Sequence, residues 1–140
     1  MKSPTLASSL ARRPRPLRSD WYDQEPRPGV QLTFGPDAIL VRPSGPGIDA
    51  PAATELVGRV REATEDRGAV RRFLIDLSEV EIPSSMAVGM LLELARMGEE
   101  AGATCHLLAP RRFVEVLRML RLDDRYTMVR DRQRLDDLLR

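Results

Sequence analysis

A mixed α/β fold is predicted for the main part of this chain: a mostly parallel sheet of about four or five strands packed by about four helices. Three observations predict it. From residue 29 onward, short apolar runs of strand length alternate with longer segments of helical periodicity. The run Phe73–Leu77 is apolar on both sides of its alternation apart from Asp76, as expected of a strand buried on both faces and linked to its neighbours by crossover helices. Finally, 140 residues with 42% hydrophobic and 31% charged content suffice for one domain with a real core, and leave no room for a second.

The elements follow in order. Val30-Gln31-Leu32-Thr33-Phe34 alternates as a strand, and Gly35-Pro36-Asp37 is turn chemistry. Ala38 to Val41 forms the next strand, so the first two should pair antiparallel. The stretch Pro43-Ser44-Gly45-Pro46-Gly47 reads as a loop. Asp49 is placed to cap a helix whose Ala53, Leu56, Val57, Val60 and Ala63 share one face and whose C-cap is Gly68. The strand at Phe73–Leu77 and a turn through Pro83 lead into a second helix, from Ser84 or Ser85 to Ala101, stopped by Gly102. Thr104–Leu108 is another strand, and Pro110 opens a helix with Phe113, Val116, Leu117 and Leu120 on one face. Tyr126–Val129 is a last strand, and Asp131 caps a final helix that buries Leu135, Leu138 and Leu139. The order β-β-α-β-α-β-α-β-α implies right-handed crossovers, with the connection after the third strand at one sheet edge.

Residues 1–28 differ from the rest. They hold six basic and three acidic residues, a net +3 against +1 for the whole chain, with five prolines and no apolar period. They are expected to form a disordered basic Pro/Arg-rich arm, with residues 29–140 as the folded domain. The arm is either a solvated tail or a contact for an anionic partner.

Several function classes are excluded or disfavoured. A single Cys forbids an internal disulfide, and with a single His it cannot build a structural zinc site. No metal or cofactor is expected. The sequence has no P-loop and no G-x-S-x-G elbow. No apolar run approaches the roughly 18 residues of a membrane span, and no secretory h-region is present, so a cytoplasmic protein is expected. Nine arginines fall between residues 111 and 140, but aspartates interleave with them and no aromatic platform accompanies them. No specific nucleic-acid partner is therefore expected.

The chemistry-bearing residues are few. His106 lies within an apolar strand, where it either fills a sheet position or serves as a partner to Ser85 or Cys105. Cys105 reads as a small core residue. Asp76 ends a strand, where a carboxylate either acts chemically or accepts hydrogen bonds from the following loop. A small enzyme built on Ser85, His106 and Asp76 is one alternative, although no catalytic signature supports it.

One segment carries more. Asp76-Leu77-Ser78, then Val80, then Ser84-Ser85-Met86-Ala87-Val88-Gly89 opening a helix, resembles the STAS domain (sulphate transporter and anti-sigma factor antagonist). Members have Asp-Leu-Ser, a Val, then Asp-Ser-[Ser/Thr]-Gly-Leu-Gly. The resemblance continues through Leu91-Leu92-Glu93-Leu94, Leu107-Leu108, Val114 to Leu120, and Leu122-Asp123, where members carry Gly-Leu-Asp. It covers about residues 29–140. Ser84 stands at the family Asp, Met86 at the next hydroxyl and Ala87 at the glycine.

The resemblance implies a non-enzymatic bacterial regulator of transcription and signal transduction, of the anti-sigma factor antagonist type. Such a protein binds a kinase-type anti-sigma factor and is released by phosphorylation at the serine matching Ser85, with Ser84 as the alternative acceptor. The same resemblance also fits a STAS-like scaffold or subunit of a signalling or lipid-transport assembly that no phosphate switches. At about 100° per residue, Ala87, Leu91, Leu94 and Gly98 face the sheet. Met86, Met90, Glu93 and Met97 form a second stripe, which is either a partner-docking surface, with Ser84 and Ser85 at its head, or the margin of the core.

Overall fold

The computed structural model describes residues 30–140. The expected arm at 1–28 lies outside the described residues. The strands are β1 (Val30–Phe34), β2 (Ala38–Pro43), β3 (Arg72–Asp76), β4 (Thr104–Leu108) and β5 (Thr127–Met128). The helices are α1 (Ala50–Arg67), α2 (Ser85–Ala101), α3 (Arg111–Met119) and α4 (Arg132–Leu139). One five-stranded sheet has the order β1-β2-β3-β4-β5. Only the β1–β2 pair is antiparallel; the others are parallel.

This order makes β3 the central strand. The connection after β3 therefore leaves the middle of the sheet at the carboxyl ends of the parallel strands, not at a side edge. The earlier expectation did not include the strand order, which local patterning does not carry. Because each parallel strand is added on the same side with the same crossover hand, α1, α2 and α3 all fall on one face. The other face is left for α4.

Strand alternation divides the side chains between these faces. Ile39, Val41, Phe73, Ile75, Cys105 and Leu107 join Leu56, Val60, Leu91, Leu94, Phe113 and Leu117 in one large core. Ala38, Leu40 and Leu74 meet Leu135 of α4 in a small second cluster. Two glycines permit close approach. A Cβ at Gly98 of α2 would fall 2.5 Å from the Cys105 sulfur. One at Gly35 would fall 1.8 Å from the Leu139 carbonyl oxygen, so α4 closes over the β1–β2 turn only because residue 35 has no side chain.

The caps match the sequence reading. Asp49 Oδ1 accepts from the Ala52 amide at 2.9 Å, and Asp131 Oδ1 from the Arg134 amide at 3.0 Å. Gly68 and Gly102 end their helices at φ 78° and 72°. Two expectations change. Leu120 is exposed because α3 ends at Met119, one residue before it. The last strand is only Thr127–Met128; Tyr126 turns inward, and its hydroxyl donates to the Leu91 carbonyl of α2.

Candidate functional site

The loop between β3 and α2 begins at a buried carboxylate. Asp76 Oδ1 accepts from the Ser78 amide at 2.9 Å and the Ser78 hydroxyl at 2.6 Å. Its Oδ2 accepts from Arg42 Nε at 2.8 Å and from Arg132 Nε at 3.0 Å. Arg132 also donates to Ser78 Oγ at 3.0 Å and to Glu79 at 3.2 Å. Burial alone would raise the Asp76 pKa. The Ser78 hydroxyl and amide, with Arg42 and Arg132, outweigh burial and hold the carboxyl below its ordinary value. Asp76 is thus the loop-ordering acceptor of the two roles its position allowed, and it joins β2, β3 and α4.

The loop is pinned further along. The Leu77 amide donates to Leu108 O at 2.7 Å, and Leu77 and Val80 are fully buried. The amides of Glu81 and Ile82 both donate to Pro46 O at 2.9 Å, which couples this loop to the one before α1. The chain therefore enters α2 on a fixed path.

Ser84 and Ser85 divide two tasks. Ser84 is the N-cap of α2: it is half-buried, and its Oγ accepts from the Ala87 amide at 3.2 Å. Ser85 is the first helical residue and is exposed. The first turn contains no acidic residue, so the positive end of the helix dipole is not neutralised by its own side chains.

Ser85 lines one end of a groove of about 430 Å³ between α1 and α2. Ala53, Val57 and Gly58 form one wall; Met86, Gly89 and Met90 form the other. Arg61 and Glu93 also line it and pair across the two helices at 3.1 Å. The glycines explain the groove. A Cβ at Gly58 or Gly89 would meet nothing within 4 Å. Packing requires neither residue to be glycine, although each costs its helix about 1 kcal/mol relative to alanine. Their absence of side chains leaves the groove open.

The expected stripe on α2 is corrected in part. Met90 and Met97 are only 3% and 7% exposed, and both belong to the main core. The helix is rotated so that the stripe sinks against α1, a packing partner that local periodicity does not locate. Met86 remains exposed at 40%. Glu93 is engaged by Arg61 and Arg96; the hydrogen bond from Arg96 is the main reason its pKa lies below the ordinary value.

The family-model comparison identifies the arrangement: the STAS domain model matches residues 30–134. The chain belongs to the STAS domain family. Among solved structures, this STAS domain is similar to the anti-sigma factor antagonist SpoIIAA in its unphosphorylated form, with TM-score 0.65 and 20% identity over 79% of this chain and 96% of that one. It is also similar to the Bacillus cell fate determinant SpoIIAA in the phosphorylated form, with TM-score 0.63 and 19% identity over 79% of this chain and 99% of that one. At these identities the likeness establishes the shared fold. No curated protein matches the chain significantly.

Within the STAS domain, the alternative enzyme triad is not assembled. His106 pairs in register with Leu74, so its side chain lies on the α4 face, whereas Ser85 lies at the α1–α2 groove. Cys105 is buried, and burial, then the nearby charge of Glu99, raises its thiol pKa to about 11. That makes it a core residue, not a thiolate nucleophile. Among the described residues, no cluster of three or more His, Cys, Asp or Glu could hold a metal, and no helix is long and apolar enough to cross a membrane. The sequence reading did not single out Gly58 or the clamp of Arg42 and Arg132. An uncapped glycine inside a helical period was the signal available for Gly58; the arginine clamp left none.

Proposed function

We propose that this STAS domain is a non-enzymatic regulatory binding protein of the anti-sigma factor antagonist type. In this reading it docks a kinase-type anti-sigma factor at the N-terminus of α2 and the adjoining groove, and phosphorylation of Ser85 ends the association. The observation that carries the reading is the exposed Ser85 hydroxyl on the groove's lip, while the Ser84 hydroxyl is spent as the cap.

The physical consequence is local. A phosphate on Ser85 adds about −1.5 to −2 charges at neutral pH. The early amides of α2 and the helix dipole stabilise it there. A partner that inserts an apolar group between Met86 and Val57 then meets a desolvation cost and an anion at the groove mouth. No refolding is needed.

The test is intact mass and site mapping after incubation with ATP and the kinase-type anti-sigma factor of the same organism. Addition of one phosphate at Ser85, its absence in Ser85→Ala, and loss of the complex on modification are expected. An unmodified chain that still forms a stable assembly without a kinase would replace this reading with the unswitched scaffold. That second reading is favoured by Ser84 and Ala87, which stand where resembling members carry an aspartate and a glycine.

A further inference from the structure

A second hollow, of about 410 Å³, lies on the opposite side of the sheet, between the β4–β5 edge and α4. Its polar lining is His106, Thr127, Arg130, Asp131 and Arg134; Met128, Val129 and Leu138 form apolar walls. The arginines here differ from most others in the fold. Arg72, close by, is satisfied by Leu138 O at 2.8 Å and Asp37 Oδ1 at 2.7 Å. Arg42 and Arg132 are held by Asp76. The guanidinium groups of Arg130 and Arg134 have no hydrogen bond or ion pair among the described residues. Asp131, the carboxylate in the lining, uses Oδ1 to cap α4 through the Arg134 amide at 3.0 Å.

His106 reports the field in this hollow. It is partly buried, and Thr104 Oγ1 lies 3.0 Å from its Nε2. Burial, then the positive charges of Arg72 and Arg134, holds its pKa below the ordinary value. With the imidazole favoured in its neutral form, the positive charge of the hollow comes from the Arg130 and Arg134 forks. Both forks line the same hollow as the Thr127 hydroxyl and the imidazole, and such a set offers several donors to an anion that carries several oxygens, as a phosphate does.

We propose that this hollow binds a phosphate-type oxyanion, with Arg130 and Arg134 as charge partners and Thr127 and His106 as hydrogen-bonding walls. The site is independent of the Ser85 reading, since it occupies the other sheet face. The ligand is either a free oxyanion or the phosphate of a small organic molecule lying against Met128, Val129 and Leu138.

His106 is the only histidine, so its ring signals can be followed by NMR in the full chain without assignment. Inorganic phosphate and phenyl phosphate are titrated in separately, with ionic strength held constant by sodium chloride. A saturable change in the His106 signals is expected. Its titration midpoint should rise by about half a pH unit or more, because an adjacent anion stabilises the imidazolium. Arg134→Gln should weaken the response about tenfold, with Arg130→Gln as a second variant outside α4, and both should melt close to the parent. Tighter binding of phenyl phosphate assigns the apolar wall to an organic group; equal binding assigns the site to the free oxyanion. A response that chloride reproduces, or that survives in both variants, overturns the proposal.

Discussion

The two faces of the sheet hold their helices by different means. On the α1–α2–α3 face, a continuous apolar core extends from Ile39 to Leu117. On the α4 face, four buried apolar residues are supplemented by the Asp76 clamp and by the Arg72 bonds to Asp37 and Leu138. The first face has area to spare and tolerates an open groove in its helix layer. The second has little area, and its short helix depends on directed polar contacts. Surplus apolar burial on one side thus leaves Ser85 and Gly89 exposed along the groove, while on the other side Asp76 and Arg72 are spent on holding the elements together.

The largest effects should expose this asymmetry. Leu94→Ala, in the main core, is expected to cost about 4 kcal/mol, and Leu135→Ala, in the small cluster, about 2–3 kcal/mol. Chemical denaturation measures both, and equal losses would erase the distinction. Met90→Asp buries a charge in the main core and is expected to cost about 3 kcal/mol or more. Met86→Asp, on the groove's exposed lip, should stay within about 0.5 kcal/mol and weaken partner binding instead.

Asp76→Ala should cost about 2–3 kcal/mol, because it strands Arg42 and the Ser78 amide, with some relief from solvent reaching Arg132. Its pH dependence has a definite sign. The folded-state pKa lies below the ordinary 3.8, so the contribution is complete above that value and disappears as pH falls through the lower folded value. The stability gap between parent and variant should therefore close in acid. A gap that widens there would remove the clamp from the account. One small effect is of opposite sign: Gly89→Ala should stabilise by about 0.5–1 kcal/mol, since the added methyl meets open space. Its cost should appear only as reduced partner affinity, measured by titration calorimetry.

How much of this was legible beforehand depended on the range of the interaction. Asp49, Gly68 and Gly102 marked helix ends through contacts within a few residues, and the start of α2 was marked as Ser84 or Ser85, of which the structure selects Ser84 as the cap. The STAS resemblance through Asp76 to Gly89 located Ser85. The methionine stripe was visible as a period, but its burial was not, because the covering element, α1, lies more than twenty residues earlier in the chain.

The sequence by itself determined the element order, the caps, the two-faced apolar alternation and the hydroxyl at the start of α2. All of these are local, set by backbone sterics, capping and periodicity. Tertiary structure alone decided that β3 is central, that Asp76 is clamped by arginines 34 and 56 positions away, and that two glycines on different helices face one another across open space. Those facts depend on which distant segments meet, and no local preference of the chain encodes that meeting.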